Sequence, residues 1–285
     1  MPELTSIGVV GAGTMGSGIA QVFAQRGCQV LLCDAVSSQL ERALSTIKKN
    51  LNRDLEKNRI DAAERDRALA NIRAQADFEG LKRSALVIEA VSEVFAVKQG
   101  VFAELDRICE QTTILATNTS SISVTQLAGT TKRPDRVIGM HFMNPVPVMK
   151  LVEIIRGMKT SEETFLTTRG FVEVLDKVPI VVNDSPGFVS NRVLMPMINE
   201  AIFCVYEGVG TPESVDAVMK LGMNHPMGPL TLADLIGLDV CLNIMETLYA
   251  GFSDPKYRPC PLLRKMVAAG RLGRKSGEGF YRYSP

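Results

Sequence analysis

The strongest constraint on the fold is a glycine-rich turn between a strand-like and a helix-like segment near the N-terminus. Residues 5–10 are typical of a short buried strand, and residues 17–24 follow the turn with helical spacing. Gly27 ends that helix, and residues 29–34 supply the next strand. The turn has the pattern G-x-G-x-x-G, formed by Gly11, Ala12, Gly13, Thr14, Met15 and Gly16. A strand, a glycine turn, a helix and a strand in this order predict the first unit of a parallel sheet.

This turn has the chemistry of a dinucleotide site. The first glycine permits the tight turn, the second lets a pyrophosphate approach the backbone, and the third lets the helix pack on the strand. Asp34 closes the second strand, where a carboxylate accepts hydrogen bonds from ribose hydroxyls and repels a 2′-phosphate. A structural turn with a solvated acid is the simpler alternative. The whole context favours an NAD site with contacts from Gly11, Gly13, Thr14, Met15, Gly16 and Asp34.

Strand-like and helix-like segments alternate over the first two thirds of the chain. The later strand candidates are 85–91, 113–117, 137–142, 150–155 and 178–182, and 97–109 is among the helical stretches between them. The alternation predicts an α/β, Rossmann-type, mainly parallel sheet covered on both faces. Apolar residues also recur at helical spacing before residue 58, and Asp61 with Glu64 is typical of a helix N-terminus. We therefore expect a protruding helical hairpin before the strand at 85–91.

The pattern changes after residues 183–187. Residues 188–206 form one long apolar helical segment, and helical stretches separated by Gly, Pro and Asn follow it. The length of 285 residues suits two domains. The sequence predicts an NAD-binding domain over 1–185 and an all-α domain over 186–285.

Composition excludes several classes of function. The 32 basic and 31 acidic residues nearly cancel, so no overall charge gathers nucleic acid or an anionic membrane. The six cysteines form no C-x-x-C pair and there are only two histidines, so no metal site is expected. The N-terminus has no signal-peptide pattern, and no apolar run approaches about 18 residues. We expect a cytoplasmic protein.

A histidine and a glutamate are expected to face each other across a hairpin. His141 lies near the end of the strand candidate 137–142, and the residues around Pro147 cannot continue a regular ladder. In an antiparallel return centred on Pro147, His141 faces Glu153. A carboxylate beside a histidine fixes the imidazole tautomer, as a general acid/base requires. On spacing alone, a structural histidine and a solvated glutamate remain the more common interpretation.

Two further polar groups are candidates for a site. Ser120 belongs to a segment, Asn118 to Ser121, at the carboxyl end of a strand, where open parallel sheets bind ligands. The segment could equally cap the next helix, and Ser121 or Ser123 can do so while Ser120 points into the site. Asn191, near the start of the second domain, is as plausibly a surface amide. Lys57 lies in a charge-rich hairpin that is more simply a solvated face.

The sequence resembles the short-chain L-3-hydroxyacyl-CoA dehydrogenases, and their bacterial 3-hydroxybutyryl-CoA branch most closely. The match runs almost end to end, from the glycine turn to Gly277-Glu278-Gly279-Phe280-Tyr281. Its most specific segments are Asn118 to Ser121, His141 to Glu153 and Asp184 to Arg192.

The resemblance implies hydride transfer between NAD and C3 of an acyl-CoA substrate. It implies that His141 is the general acid/base and Glu153 its orienting carboxylate. Ser120 and Asn191 correspond to residues that hold the reacting oxygen or the thioester region, and Lys57 to a CoA-contacting lysine. The implied cofactor contacts beyond the glycine turn are Glu93, Lys98, Asn118, Ser120 and Asn144.

The resemblance further implies a homodimer built on the helical domain. Because no hydratase half follows, we expect a stand-alone enzyme. The alternatives are a dehydrogenase of a hydroxyacid or sugar acid without CoA, since the fold does not identify the acyl carrier, or a non-catalytic NAD-binding protein. The Pro-Val-Pro-Val-Met-Lys run at 145–150 argues against the first. His141, Glu153, Ser120 and Asn191 argue against the second.

Overall fold

The chain forms a sheet-containing unit followed by a helical unit. The computed structural model describes residues 6–284, so Thr5 of the expected first strand lies outside the described residues. The chain divides into two compact units, Met1–Asp184 and Ser185–Pro285. The predicted fold class, a Rossmann-type sheet with a helical hairpin and an all-α C-terminal part, is confirmed.

The first unit is built on one eight-stranded sheet with the order β3-β2-β1-β4-β5-β6-β7-β8. Its strands are β1 (Ser6–Val10), β2 (Gln29–Cys33), β3 (Ile72–Gln75), β4 (Leu86–Glu89), β5 (Ile114–Thr117), β6 (Val137–Phe142), β7 (Leu151–Arg156) and β8 (Val178–Asn183). The strands β1 to β6 are parallel, β7 is antiparallel to β6, and β8 is parallel to β7. Residues of β4, β5 and β6 are buried throughout, as expected where both faces of a sheet are covered.

Among the described residues, six α-helices accompany this sheet, and the first of them follows the glycine turn. They are α1 (Thr14–Gln25), α2 (Ser37–Glu56), α3 (Ala62–Ala70), α4 (Phe95–Ile108), α5 (Val124–Ala128) and α6 (Glu162–Val174). Ile19 and Phe23 of α1 are fully buried, and the Phe23 ring meets that of Phe171 edge to face at 6.5 Å between centroids. Burial of these apolar side chains fixes α1, and with it the glycine turn, on the sheet.

The helical hairpin is present and consists of α2 and α3. Of the apolar residues that recur at helical spacing in α2, Ile47 and Leu51 are buried, whereas Leu44 is exposed. Asp61 caps α3, because its side chain accepts the Glu64 N–H while Glu64 accepts the Asp61 N–H. The sequence did not predict the strand β3 that follows, because its short segment contains one large apolar residue, Ile72, and polar neighbours.

The described part of the second unit contains five α-helices around its own apolar core. They are α7 (Ser190–Tyr206), α8 (Pro212–Gly222), α9 (Pro229–Ile236), α10 (Leu238–Phe252) and α11 (Pro261–Ala268). The expectation that α7 begins at residue 188 was wrong: Gly187 and Phe188 have φ values of 71° and 50°, which form a turn before the helix. Among the described residues, no single helix meets the length and composition test for a membrane span, although the bent pair α9 and α10 passes it jointly.

Candidate active site

A groove at the glycine turn fits a dinucleotide. It has a volume of about 660 Å³ and is lined by the turn, by Asp34 and by apolar side chains that include Val36 and Phe78. Gly11 has a φ of 101°, and a Cβ there would lie 2.6 Å from the Ala90 carbonyl oxygen. A Cβ at Gly13 would meet no atom within 4 Å, so the backbone is open where a pyrophosphate must approach. We call this the cofactor groove.

Asp34 is fixed at the end of β2 by two backbone donors. Ala12 N–H donates to Oδ2 at 2.8 Å, and Val36 N–H donates to Oδ1 at 2.9 Å. An ionised carboxylate has about four acceptor positions, so both oxygens can still accept from a ribose. None of the described residues that line the cofactor groove is basic, which leaves this carboxylate as the dominant charge there.

The predicted pairing of His141 with Glu153 is confirmed as a structural register. The strands β6 and β7 are antiparallel, with His141 directly opposite Glu153. The His141 Nδ1 and Glu153 Oε2 atoms are 2.8 Å apart, and both residues are buried. Burial contradicts the alternative of a solvated strand glutamate. Because an ionised carboxylate only accepts, Nδ1 carries the proton and Nε2 of the neutral ring is an acceptor.

Ser120 lies on the other side of the imidazole. Its Oγ is 3.0 Å from His141 Nε2, so the hydroxyl donates to this nitrogen in the neutral tautomer. Ser123 rather than Ser121 caps α5, by accepting the Gln126 N–H. The helix cap and the predicted site residue are thus different serines of one loop.

Glu93 holds the loop that carries Ser120. Its Oε1 accepts the backbone N–H groups of Ser120 and Ser121 at 2.9 and 3.0 Å, and the Thr119 hydroxyl at 2.5 Å. Burial acts to raise the pKa of Glu93, but Lys98 and these donors outweigh it and hold that pKa below its usual range. The carboxylate is therefore ionised near neutral pH and can accept these hydrogen bonds from the loop.

Lys98 and Glu89 form a buried ion pair beneath this loop. Lys98 Nζ lies 2.7 Å from Glu89 Oε1 and 3.3 Å from Glu93 Oε2, and the lysine is only 1% exposed. Burial raises the pKa of Glu89 even though Lys98, Thr117 and the Val91 N–H stabilise its charge. The burial of Lys98 favours a role in placing Glu93 over direct contact with a cofactor. Glu89 was not singled out from the sequence, although an acid at the end of an apolar strand was a usable signal.

Asn118 connects the ends of two strands. Its N–H donates to the Glu89 carbonyl at 2.8 Å, and its Oδ1 accepts the Phe142 N–H at 2.9 Å. Phe142 is the residue after His141. Asn118 therefore extends the link between β5 and β6 beyond their last paired residues, Thr117 and Gly139.

A second cleft lies between the glycine turn, α2 and the segment after β6. It has a volume of about 370 Å³, and its lining includes Thr46, Asn50, Asn144 and Pro147. Asn144 lines this cleft together with Gly13 and Thr14 of the glycine turn. We call this the inner cleft.

Two further predicted site residues, Lys57 and Asn191, lie on the helices α2 and α7 or at their ends. Lys57 is exposed at the end of α2, next to a face that carries Lys48, Lys49 and Arg53. Asn191 is buried in the first turn of α7, in the second unit, which contradicts the alternative of a surface amide.

The fold and these groups define a class, the NAD-dependent oxidoreductases with a Rossmann-type domain. Comparisons with known proteins narrow this class. Residues 6–185 match the model of the 3-hydroxyacyl-CoA dehydrogenase NAD binding domain, and residues 187–283 match the model of the C-terminal domain of the same family. The chain belongs to the 3-hydroxyacyl-CoA dehydrogenase family.

Three relatives illustrate the similarity. A probable 3-hydroxybutyryl-CoA dehydrogenase of Bacillus subtilis is 58% identical, over 99% of this chain and 98% of that protein. A 3-hydroxybutyryl-CoA dehydrogenase of Bradyrhizobium diazoefficiens is 50% identical, over 98% of this chain and 96% of that protein. The crystal structure of (S)-3-hydroxybutyryl-CoA dehydrogenase from Ralstonia eutropha superposes with a TM-score of 0.96 at 49% identity and covers 99% of both chains.

Proposed function

We propose that this chain interconverts (S)-3-hydroxybutyryl-CoA and acetoacetyl-CoA with NAD, and that His141 transfers the proton. The observation that carries the proposal is the imidazole held between Glu153 and Ser120, at 2.8 and 3.0 Å. The names of the full-length relatives support the substrate.

The proposed reaction needs one acid/base group, which moves a single proton. Bound NAD supplies the hydride acceptor for the hydrogen on C3. In oxidation, His141 Nε2 accepts the proton of the C3 hydroxyl, and the C–O bond becomes a carbonyl; in reduction, the same nitrogen returns the proton. Glu153 fixes the tautomer through Nδ1 and stabilises the imidazolium that forms. When the reacting oxygen takes the place of the Ser120 hydroxyl at His141 Nε2, this hydroxyl can donate to the reacting oxygen.

The remaining site residues have supporting roles in this proposal. The glycine turn, Thr14, Met15 and Asp34 bind the cofactor, together with Asn118, Ser120 and Asn144. Glu93 and Lys98 order the Ser120 loop beside the cofactor. Asn191 holds the thioester region of the substrate, and Lys57 contacts CoA from the hairpin.

We also propose that residues 1–185 form the NAD-binding domain and residues 186–285 the substrate-binding and dimerisation domain. The helical unit exposes large apolar side chains on and around α7 and α8, namely Val193, Val209, Val218, Leu221 and Met223. Exposed apolar surface of this kind is typical of an interface, and a second copy of the chain is the proposed partner.

The test is a set of initial rates with acetoacetyl-CoA, longer 3-ketoacyl-CoAs and free acetoacetate, each with NADH and with NADPH. We expect the highest kcat/KM with acetoacetyl-CoA and NADH. Comparable efficiency with free acetoacetate would contradict a CoA substrate. No turnover of any 3-ketoacyl-CoA would contradict the reaction itself.

A further inference from the structure

The segment that joins β6 to β7, residues 143–150, lies beside the site but outside the sheet. The ladder between the two strands ends at the pair Phe142 and Val152, so the pairing of these strands does not hold the segment. Four consecutive residues of it, Asn144 to Pro147, line the inner cleft together with the glycine turn. The position of the segment therefore sets the width of the cleft opposite the glycine turn. We call residues 143–150 the connecting segment.

Lys177, which precedes β8, holds the connecting segment by its backbone. The lysine is 7% exposed, and its Nζ donates to the carbonyl oxygens of Val146 and Met149, each at 2.6 Å. These two residues belong to a turn in which the Val148 and Met149 N–H groups donate to the Pro145 carbonyl at 3.0 Å. One side chain thus ties this turn to the start of β8.

The charge of Lys177 is not balanced by an ion pair. In the described part of the chain, no carboxylate forms a salt bridge with it, because the neighbouring Asp176 pairs with Lys150 and Arg26 instead. Burial lowers the pKa of Lys177, and the charges of Lys150 and Arg26 lower it further, whereas Asp176 acts in the opposite direction. A buried amine is tolerated when its N–H groups are satisfied, and the two carbonyls satisfy them. The neutral amine also has N–H groups for both carbonyls, so the contact persists in either charge state.

The connecting segment also packs on α1. A Cβ at Gly18 would lie 2.9 Å from the Val146 Cβ and 3.6 Å from the Pro147 Cδ, so the segment touches the backbone of this helix. Val146 is 2% exposed. Its side chain is therefore held by the helix that follows the glycine turn, and its carbonyl is held by Lys177. Without the lysine, two carbonyl groups lose their donor, which favours a shift of the segment towards other donors or water.

We propose that Lys177 is a positioning residue for hydride transfer, which holds the connecting segment against the bound cofactor and beside the end of β6 that carries His141. Loss of the lysine then changes the alignment of cofactor and base, so it acts on kcat and on the affinity for NADH. The effect on kcat rests on the proposed function. The effect on NADH binding rests only on the NAD-binding domain to which residues 6–185 belong.

The experiment changes the donors of Lys177. Lys177→Met keeps the length of the side chain but has no donor. A displacement of about 1 Å can slow a reaction by about 10²-fold, so kcat with acetoacetyl-CoA and NADH should fall by at least about tenfold. The NADH dissociation constant, measured by fluorescence, should rise by about threefold or more, the effect of one lost hydrogen bond.

Lys177→Arg is the conservative variant, because it restores N–H donors at this position. Lys177 lines a cavity of about 320 Å³ that has room for the larger guanidinium. This variant should recover most of kcat and of the affinity for NADH. The matched control is Lys159→Met, at an exposed lysine between β7 and α6, which should alter neither value.

A lower melting temperature of Lys177→Met with unchanged kcat and NADH affinity would overturn the inference, because it would make the lysine purely structural. Equal losses in Lys177→Met and Lys177→Arg would overturn it as well. Should Lys177→Met not fold, Lys177→Gln, whose amide can donate to one carbonyl, takes its place, and unchanged values there overturn the inference.

The NADH measurement separates this inference from the reaction. If the unmodified enzyme reduces no 3-ketoacyl-CoA, the proposed function fails and the NADH dissociation constant alone decides. Weaker NADH binding in Lys177→Met that Lys177→Arg restores then supports the positioning role. Equal NADH binding in the unmodified protein and both variants overturns it.

Discussion

At the scale of single residues, Asp34 has two roles, one structural and one in the recognition of the cofactor. Its carboxylate holds the N–H groups of Ala12 and Val36, and it is the dominant charge in the cofactor groove. Asp34→Asn keeps the size of the side chain but removes its charge, and the amide oxygen can accept only one of the two N–H groups. Because a unit charge near a 2′-phosphate is worth on the order of 1 to 4 kcal/mol, the NADH to NADPH ratio of kcat/KM should fall by about tenfold or more.

Thermal unfolding of Asp34→Asn is the control, since the loss of one hydrogen bond to the turn should lower the melting temperature by no more than about 4 °C. Equal or better efficiency of the unmodified enzyme with NADPH would contradict this role of Asp34.

The cysteines give a second residue-scale prediction. Burial raises the pKa of Cys33 and of Cys241 to about 12 and that of Cys109 to about 11. Burial also raises the pKa of Cys28 and Cys260, whereas Cys204 is only half-buried. Since the thiolate is the reactive form, no more than one thiol should react rapidly with Ellman's reagent at pH 8, and all six should react after unfolding. Rapid reaction of several thiols in the folded protein would contradict the described packing.

Much of the candidate site followed from local sequence rules. The pairing of His141 with Glu153 could be predicted from the centre of the hairpin alone, because the residue numbers of facing residues in an antiparallel ladder have a constant sum. Glu89 was not singled out, although its place at the end of an apolar strand was a signal that the sequence offered. The sequence could not show that Glu89 is buried beside Lys98, because only the fold brings these two charged groups together.

At the scale of elements, the hairpin of α2 and α3 depends on a capping box that the sequence predicted. Asp61→Ala removes the acceptor for the Glu64 N–H, and loss of such a cap costs about 1 kcal/mol. We expect the free energy of unfolding, measured with urea, to fall by about that amount. Asp66→Ala is the matched control, because Asp66 is an exposed acid of the same helix that pairs only with its neighbour Arg65 in the described contacts. Equal losses in both variants would show that the cap contributes nothing specific.

Element boundaries were harder to predict than element types. The strand β6 was predicted with its exact ends, because a run of apolar residues is bounded by Arg136 and by the break at Asn144. The strand β3 was missed, since an edge strand needs little apolar surface and its pairing with β2 is non-local. The start of α7 was placed too early, because a left-handed Phe188 has no signature in composition.

At the scale of the whole molecule, the helical unit carries the proposed dimer interface. Leu221 on α8 is 87% exposed in the single chain, which is costly for a leucine unless it is covered. Light scattering at micromolar concentration should give twice the 31.0 kDa of one chain. Leu221→Glu should shift the mass towards one chain, whereas the control Leu166→Glu, at an exposed leucine of α6, should not. A mass of one chain for the unmodified protein would contradict the interface.

The paired residues of the proposed site should act as a unit. Glu153→Gln removes the anionic partner of the imidazole, which leaves the protonated ring less stable. The rate of acetoacetyl-CoA reduction should therefore fall. The double variant His141→Ala/Glu153→Gln should lose little more than His141→Ala alone, because groups that act on one step are strongly non-additive. Multiplicative losses in kcat would instead indicate that Glu153 acts independently of His141.

The most direct test of the account is the turnover number of His141→Ala with acetoacetyl-CoA and NADH. A positioned proton-transfer group raises the rate of the chemical step by about 10² to 10⁴-fold, so kcat should fall by that factor. The NADH dissociation constant, measured by fluorescence, should stay the same. A variant that kept more than about a tenth of the unmodified rate, well above the expected hundredth or less, would show that another group moves the proton.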